Sequence, residues 1–338
     1  MKFTQFFLLL FPLLILSPSA QAQGTQYRGV TVGSDISPDD ISVLASWRVN
    51  LVRYPLAWGD RASFADEASY YDWLQSALDR FDELLPYFQE NGINVVLELY
   101  SPPGGFVYNG RPQHRVFSER WAQEALLVVW NEIASRYAQE QTIWGYDVLN
   151  EPAEGKVTPG LMKWKDLALQ LAQTIRAVDP QHRIIVESAY GNPLLLSKIK
   201  RLPLSGIVYS VHVYYPGSFV QQGLYGNPFG VYYPSKKANK KGLAKILKPV
   251  VAYARRNGVP IYVGEFSVVR WAPGNSAYMY MSDVISLLEQ YGWDWTYHSF
   301  RESDPWSVEH GSDPNDHSPS PVATDRMVLL QQFFGLNR

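Results

Sequence analysis

Short apolar runs alternate along this chain with longer stretches in which apolar residues recur every three or four positions. The short runs are 27–32, 49–54, 94–100, 143–149, 183–187, 207–214, 260–266 and 293–300. Each is rich in β-branched or aromatic residues and is bounded by Gly, Pro, Asn or Ser, which reads as a buried strand. The longer stretches, 71–90, 119–139, 164–178, 243–257, 277–291 and 325–334, carry the spacing of amphipathic helices. Asn91-Gly92 and Asn257-Gly258 stop two of them just before the third and seventh strands. Eight strands with helical crossovers predict an α/β protein, a (β/α)8 TIM barrel formed as a single domain over residues 23–338. A doubly wound open sheet would need a phosphate-binding glycine turn after an early strand, and none is evident. There is no repeat, low-complexity linker or second composition.

A barrel places its chemistry at the C-terminal ends of its strands. Polar residues gather there: Arg53 after the second strand, Asn150 and Glu151 after the fourth, Glu187 at the end of the fifth, His212 and Tyr214 after the sixth, Glu265 after the seventh. Glu151 and Glu265 come from strands four and seven, on opposite sides of an eight-stranded barrel. Their side chains are expected to meet across the mouth at about 5 Å, the separation used for covalent, retaining cleavage of a glycosidic bond. The acid of such a pair must hold its proton near neutrality, so its pKa is raised. The nucleophile must stay ionised, and Arg53 and Tyr214 are placed to support an anionic Glu265. Asn150 is placed to donate to a sugar 2-hydroxyl. Glu151 is therefore expected to be the acid/base and Glu265 the nucleophile.

Composition narrows the partners. Aromatic residues make up 14%, with 11 Trp and 22 Tyr, and such rings present flat faces that match sugar C–H faces. Net charge is −2, which argues against nucleic acid. The Lys-rich stretch 236–248 reads as a loop entering a solvated helix face. There is no cysteine, so no disulfide, thiolate metal site or cysteine-linked lipid anchor. The N-terminus reads as an export signal: Lys2, an apolar run over 6–16 broken by Pro12, then Ala20-Gln21-Ala22. It is too short to span a bilayer. Cleavage after Ala22 predicts a secreted or periplasmic protein with no membrane attachment, expected to be a monomer. Glu309, His310, Asp313, Asp316 and His317 crowd one Pro- and Ser-rich loop, but their spacing matches no metal site. No metal or cofactor is expected.

Four motifs then add a resemblance. Asn150-Glu151-Pro152 after Tyr146-Asp-Val-Leu, Asn50-Leu-Val-Arg53-Tyr-Pro55-Leu-Ala-Trp58, His212-Val-Tyr214 and Val263-Gly-Glu265-Phe266 resemble, in order, the strand-end motifs of clan A glycoside hydrolases, and of the family 5 cellulases in particular. The resemblance covers essentially the whole mature chain. It implies Glu265 as nucleophile and Glu151 as acid/base, with Arg53, Asn150, His212 and Tyr214 completing the site. Two positions depart from the family. Glu98-Leu99-Tyr100 puts a tyrosine where that family carries a histidine, and His298 stands where it places a tryptophan beneath the sugar. Trp58, Trp271, Trp295 and Trp306 are the candidate sugar platforms.

These readings predict a secreted retaining β-glycosidase acting on a β-linked polysaccharide or oligosaccharide, with endo-β-1,4-glucanase as the leading activity. A β-mannanase and an exo-β-1,3-glucanase compete, and the Pro103-Gly104 turn also resembles the exo-acting branch. Transglycosylation needs an acceptor site that excludes water. A non-catalytic sugar-binding barrel should have lost a catalytic carboxylate, and both are kept. A metal-dependent barrel hydrolase needs clustered His and Asp at strand ends, where only His212 and His298 qualify.

Overall fold

In the computed structural model, which describes residues 25–58, 66–108 and 112–337, eight parallel strands close into a barrel. They are β1 (Arg28–Val32), β2 (Leu51–Leu56), β3 (Asn94–Leu99), β4 (Ile143–Asp147), β5 (Arg183–Glu187), β6 (Ile207–Val213), β7 (Ile261–Phe266) and β8 (Asp294–Phe300). Strands adjacent in sequence are adjacent in space, and β8 pairs with β1 to close the ring. The helices packed around them are α1 (Pro38–Ser46), α2 (Glu67–Glu90), α3 (Arg120–Tyr137), α4 (Trp164–Val178), α5 (Gly217–Val220), α6 (Lys240–Asn257), α7 (Ser276–Tyr291) and α8 (Asp325–Phe334). A small antiparallel hairpin, Phe106–Tyr108 with Pro112–His114, decorates the loop after β3. The leader at residues 1–22 lies outside the described residues. Among those described, no helix is long and apolar enough to cross a membrane.

The expected alternation holds, with two local differences. Helix α1 was absent from the periodic stretches because it is short. Its signal is local: Ser37 caps the helix, Asp40 bonds back to the Ser37 N–H, and Pro38 occupies the first turn. Between β5 and β6 no α-helix forms. Two 3₁₀ turns, Ala189–Gly191 and Pro193–Lys198, make the crossover instead. Gly191 and Pro193 interrupt the segment before an α-helix can propagate. Gly191 has φ 62°, and a Cβ there would lie 2.8 Å from the His212 ring. The turn therefore presses backbone directly onto that histidine.

The core has two parts. The larger packs strand exteriors against helices. The smaller fills the barrel, with Leu51, Val96, Trp144, Ile185, Val208 and Tyr262 in contact. Side chains alternate along a strand, so the residue two positions on shares the same face. Two positions beyond Leu51, Val96, Ile185 and Val208 stand Arg53, Glu98, Glu187 and Ser210. The barrel interior thus changes from an apolar plug to a charged layer as it rises to the mouth. At its foot β1 and β2 run very close: a Cβ on Gly29 would sit 1.7 Å from the Leu51 carbonyl oxygen, so only glycine fits.

Candidate active site

The charged layer is organised by one fully buried guanidinium. Arg53 Nη1 donates to Glu265 Oε1 at 2.6 Å and stands 3.1 Å from Glu98 Oε2. Its Nη2 donates to Glu187 Oε1 at 2.7 Å, Asp147 Oδ2 at 2.9 Å and Asn150 Oδ1 at 3.2 Å. Its Nε also reaches Asp147 Oδ2, at 3.1 Å. A buried charge survives only when paired and hydrogen-bonded, and the rigid planar fork of arginine suits several carboxylates at once. Burial alone would lower the Arg53 pKa, but Glu98, Asp147, Glu187 and Glu265 override it and hold the charge firmly. The same burial pushes Glu98 and Asp147 well above the ordinary carboxylate range, although Arg53 opposes the shift. One cation therefore sits among carboxyl groups that do not all ionise together.

Glu265 is the carboxylate this layer keeps ionised. Burial would raise its pKa. The charges on His212, His298 and Arg53, with the Tyr214 hydroxyl donating to Oε2 at 2.8 Å, pull it far below the ordinary range. Glu151 behaves oppositely. Desolvation raises its pKa, the adjacent His212 resists, and Glu265 and Glu187 reinforce the rise. Its side chain remains 41% exposed, so it is the one of the pair open to solvent.

Two neighbours hold Glu151 in place. Its backbone has φ 41°, a left-handed conformation uncommon for a non-glycine residue. The Glu151 N–H donates to Glu187 Oε2 at 2.9 Å, and Glu187 Oε1 is held by Arg53, so the buried carboxylate braces the turn. His212 Nδ1 lies 2.8 Å from Glu151 Oε1, while Nε2 stands 3.1 Å from Glu187 Oε1. Burial would lower the His212 pKa, but Glu187, Glu265 and Glu151 raise it well above an ordinary imidazole. An imidazolium hydrogen-bonded to Glu151 on one side and facing Glu187 across an ion-pair distance on the other has no lone pair for a metal. So although ligand atoms of Glu151, His212 and Glu265 all lie within 4.8 Å of one another, the set reads as an ion-pair network. That distance also means the two glutamates converge in one cavity, closer than the roughly 6.5–9.5 Å that would admit a water between them.

The remaining expected residues divide. Asn150 is buried beside Glu151 and accepts from Arg53 through Oδ1, which leaves its NH2 as the donor. Burial raises the hydroxyl pKa of Tyr100, the tyrosine that replaces the family histidine, and the charges of Glu265, Glu98, Glu302 and Glu151 reinforce the rise. His298 Nε2 stands 3.0 Å from Glu302 Oε2. Burial would lower its pKa, but Glu302 and Glu265 bring it up to about 9. Trp306 backs it, with its ring 6.1 Å from His298 and 5.9 Å from Tyr214. Trp58 lies on the loop after β2, 42% exposed. Trp271 donates to the Gln222 carbonyl and lies beside Phe229, on the loops after β7 and β6.

One expectation is overturned: Trp295 is no platform. It lies near the start of β8, fully buried, with Nε1 on Glu289 at 2.9 Å and its ring against Phe334. Glu289 also binds Arg28 at the start of β1, which places Trp295 at the closed end of the barrel. Glu187 too has no exposed surface, so it supports the site without meeting sugar. The acidic loop 309–317 is organised from within. Buried Arg270 donates to the carbonyls of Gly311, Asp313 and Asp316 and pairs with Asp304, while Glu309 pairs with Arg301. Sequence reasoning did not select Asp147, Glu98 or Glu302. The signal for the first two was a lone acid on an otherwise apolar strand, which must find a buried partner.

A closed parallel barrel with paired, oppositely tuned carboxylates in its mouth has the constellation of an enzyme that cleaves O-glycosidic bonds. The family model described as cellulase (glycosyl hydrolase family 5) matches residues 18–304. The chain belongs to glycosyl hydrolase family 5 and is a glycoside hydrolase. Endoglucanase C of Acetivibrio thermocellus is 24% identical over 295 residues, covering 78% of this chain and 84% of the relative. Cellodextrinase A of Ruminococcus flavefaciens is 20% identical over 263 residues, covering 76% of each chain. Among solved structures, Thermotoga maritima Cel5A in complex with cellobiose superposes with a TM-score of 0.73 at 24% identity, covering 90% of this chain and 97% of that one. The same enzyme with a mannotriose substrate gives 0.70 at 24% identity, covering 84% and 92%.

Proposed function

We propose that the chain is a secreted retaining endo-β-1,4-glucanase that cleaves by double displacement. The observation that carries this reading is the convergence of Glu151 and Glu265 oxygens within 4.8 Å, one carboxyl tuned to keep its proton and the other to lose it. Glu265 attacks the anomeric carbon while Glu151 gives its proton to the leaving oxygen, forming a covalent glycosyl-enzyme. Glu151, now a carboxylate, takes a proton from water as that water attacks the same carbon and releases Glu265. Two inversions give net retention. Asn150 offers its NH2 to the 2-hydroxyl, and the Arg53–Tyr214 pair accepts the charge that returns to Glu265. Glucan as substrate is supported by the relatives named endoglucanase and cellodextrinase. A mannan reading is favoured by the likeness to the mannotriose-bound Thermotoga structure.

The test is digestion of cellulose derivatives, mannan, xyloglucan and β-1,3-glucan, with product sizes and the fresh anomer followed by NMR. The expected result is rapid shortening of a β-1,4-glucan with initial release of β-anomers. Initial α-anomers would exclude the retaining mechanism, and single-unit release from chain ends would exclude endo attack. Export is proposed on residues 1–22, whose apolar run ends in Ala20-Gln21-Ala22. Mass spectrometry of protein recovered outside the cytoplasm should find Gln23 as the first residue, and an intact Met1 would refute it.

A further inference from the structure

Outside the catalytic mouth, charge is distributed very unevenly. From Ser188 to Gly264 there is no Asp or Glu in 77 residues, while there are 11 Lys and Arg. The chain's net charge is −2, so the rest of the molecule carries −13. Six of these eleven, Lys236, Lys237, Lys240, Lys241, Lys245 and Lys248, lie within 13 residues of one another, all exposed. Five of these lysines, all but Lys240, line a groove of about 740 Å³ on the flank of the barrel, beside α6. Lys240 pairs with Asp283. The other five form no ion pair among the described residues.

The bland reading of a lysine-rich helix is a solvated face. Such faces normally intersperse both signs, which gives i,i+4 attraction. Here Lys241, Lys245 and Lys248 fall on one stripe of α6, and the helix contains no acid at all. Like charges at this spacing repel, so the stripe destabilises the free helix and is relieved by an anion laid along it. Two aromatic rings line the groove. Tyr215 directly follows Tyr214, which bonds the catalytic Glu265. Tyr291 is the last residue of α7. Because α6 follows β6 across the barrel edge, its Lys240 end lies at the mouth, and the groove leads from the rim down the outside.

We propose that this groove is a second carbohydrate site, which holds an acidic polysaccharide segment, a chain bearing carboxylates at regular spacing, against the Lys241–Lys245–Lys248 stripe. A concave channel with tyrosine rings suits an extended sugar chain better than a flat bilayer. Tyr215 in the groove adjoins Tyr214 in the site, so one polymer can be held beside the bond being cut. The choice of a glycan over other polyanions rests on the glycosidase reading, but the site is tested by binding alone, so the two can fail separately.

The experiment titrates the full mature chain with polygalacturonate and with neutral hydroxyethylcellulose at about 20 mM and about 500 mM NaCl, since attraction between exposed charges is screened by salt. The comparison is the Lys241→Gln/Lys245→Gln/Lys248→Gln variant. Wild type should bind polygalacturonate at low salt and lose it at high salt. The variant should bind roughly tenfold or more weakly, having lost three of its charge contacts. Its melting temperature and its turnover of a short neutral substrate should not fall. Absence of wild-type binding would overturn the proposal, as would equal binding by the variant. Tighter binding to phosphatidylglycerol vesicles or duplex DNA than to polygalacturonate would also overturn it, by assigning the groove to another class of polyanion.

Discussion

Glu265→Gln loses turnover by roughly 10⁴-fold or more, the scale seen when a covalent nucleophile is removed. The substitution keeps shape and removes charge. The new amide can accept from Arg53 Nη1 through its oxygen and donate to Tyr214 through its nitrogen, so both existing contacts have a replacement. Arg53 keeps its bonds to Asp147 and Glu187, and the melting temperature should move by only a few degrees. The loss is therefore chemical. A paired experiment separates the two glutamates. In Glu265→Gly, added azide can attack the anomeric carbon in place of the missing carboxylate, expelling the leaving group with its bonding electrons and giving an α-glycosyl azide. In Glu151→Gly, substrates with good leaving groups still glycosylate Glu265. Azide then attacks that intermediate from the opposite face and gives the β-azide. Exchanged products would reverse the roles assigned to Glu151 and Glu265. Near-normal turnover in Glu265→Gln would remove Glu265 from the mechanism.

How much of this was legible in the chain depends on the range of the interaction. The strands were readable because burial on both faces demands unbroken apolar runs, and β5 and β8 end where those runs end. Residues such as Arg53, Glu151, His212 and Glu265 were readable because they interrupt apolar runs at strand ends. The partners within the charged layer were not. Glu98 and Asp147 lie inside their strands, and nothing local says that both turn toward one guanidinium on β2. Only closure of the barrel brings them there. Trp295 shows the converse failure. Its distance from the C-terminal end of β8 was countable, five residues before Phe300, and strand polarity alone places it at the closed end. Position along the strand, not aromatic identity, decides which end a tryptophan serves. The lysines of 236–248 cluster in the sequence itself, but the groove they line is completed by Tyr215 after β6 and Tyr291 at the end of α7, which only the fold brings beside them.

Arg53→Met should be the most destabilising single change in the site, at about 3–5 kcal/mol, because it leaves buried carboxylates without their counter-charge. At roughly 2–4 °C per kcal/mol for a domain somewhat smaller than this one, the melting temperature should fall by about 10 °C. Lysine is no substitute, since one ammonium cannot reach Glu98, Asp147, Glu187 and Glu265 together as the planar fork does. The pH dependence distinguishes lost charge pairing from lost packing. Glu187 and Glu265 have folded pKa values depressed below the ordinary range, with burial opposing and the neighbouring cations, Arg53 and His212 among them, prevailing. A group depressed on folding contributes stability above its unfolded pKa, about 4.3 for glutamate, and that contribution fades as pH falls through the folded value. Removing Arg53 raises both folded values and reduces that contribution to the part that His212, and for Glu265 also His298, still supplies. The deficit should therefore be largest near about pH 7 and shrink below about pH 4, where protonation relieves the uncompensated charge in the variant. Urea unfolding of both proteins at the two pH values measures it directly. A deficit under about 1 kcal/mol, or one equally large at both pH values, would mean that Arg53 fills space rather than balancing the charged layer beneath the catalytic pair.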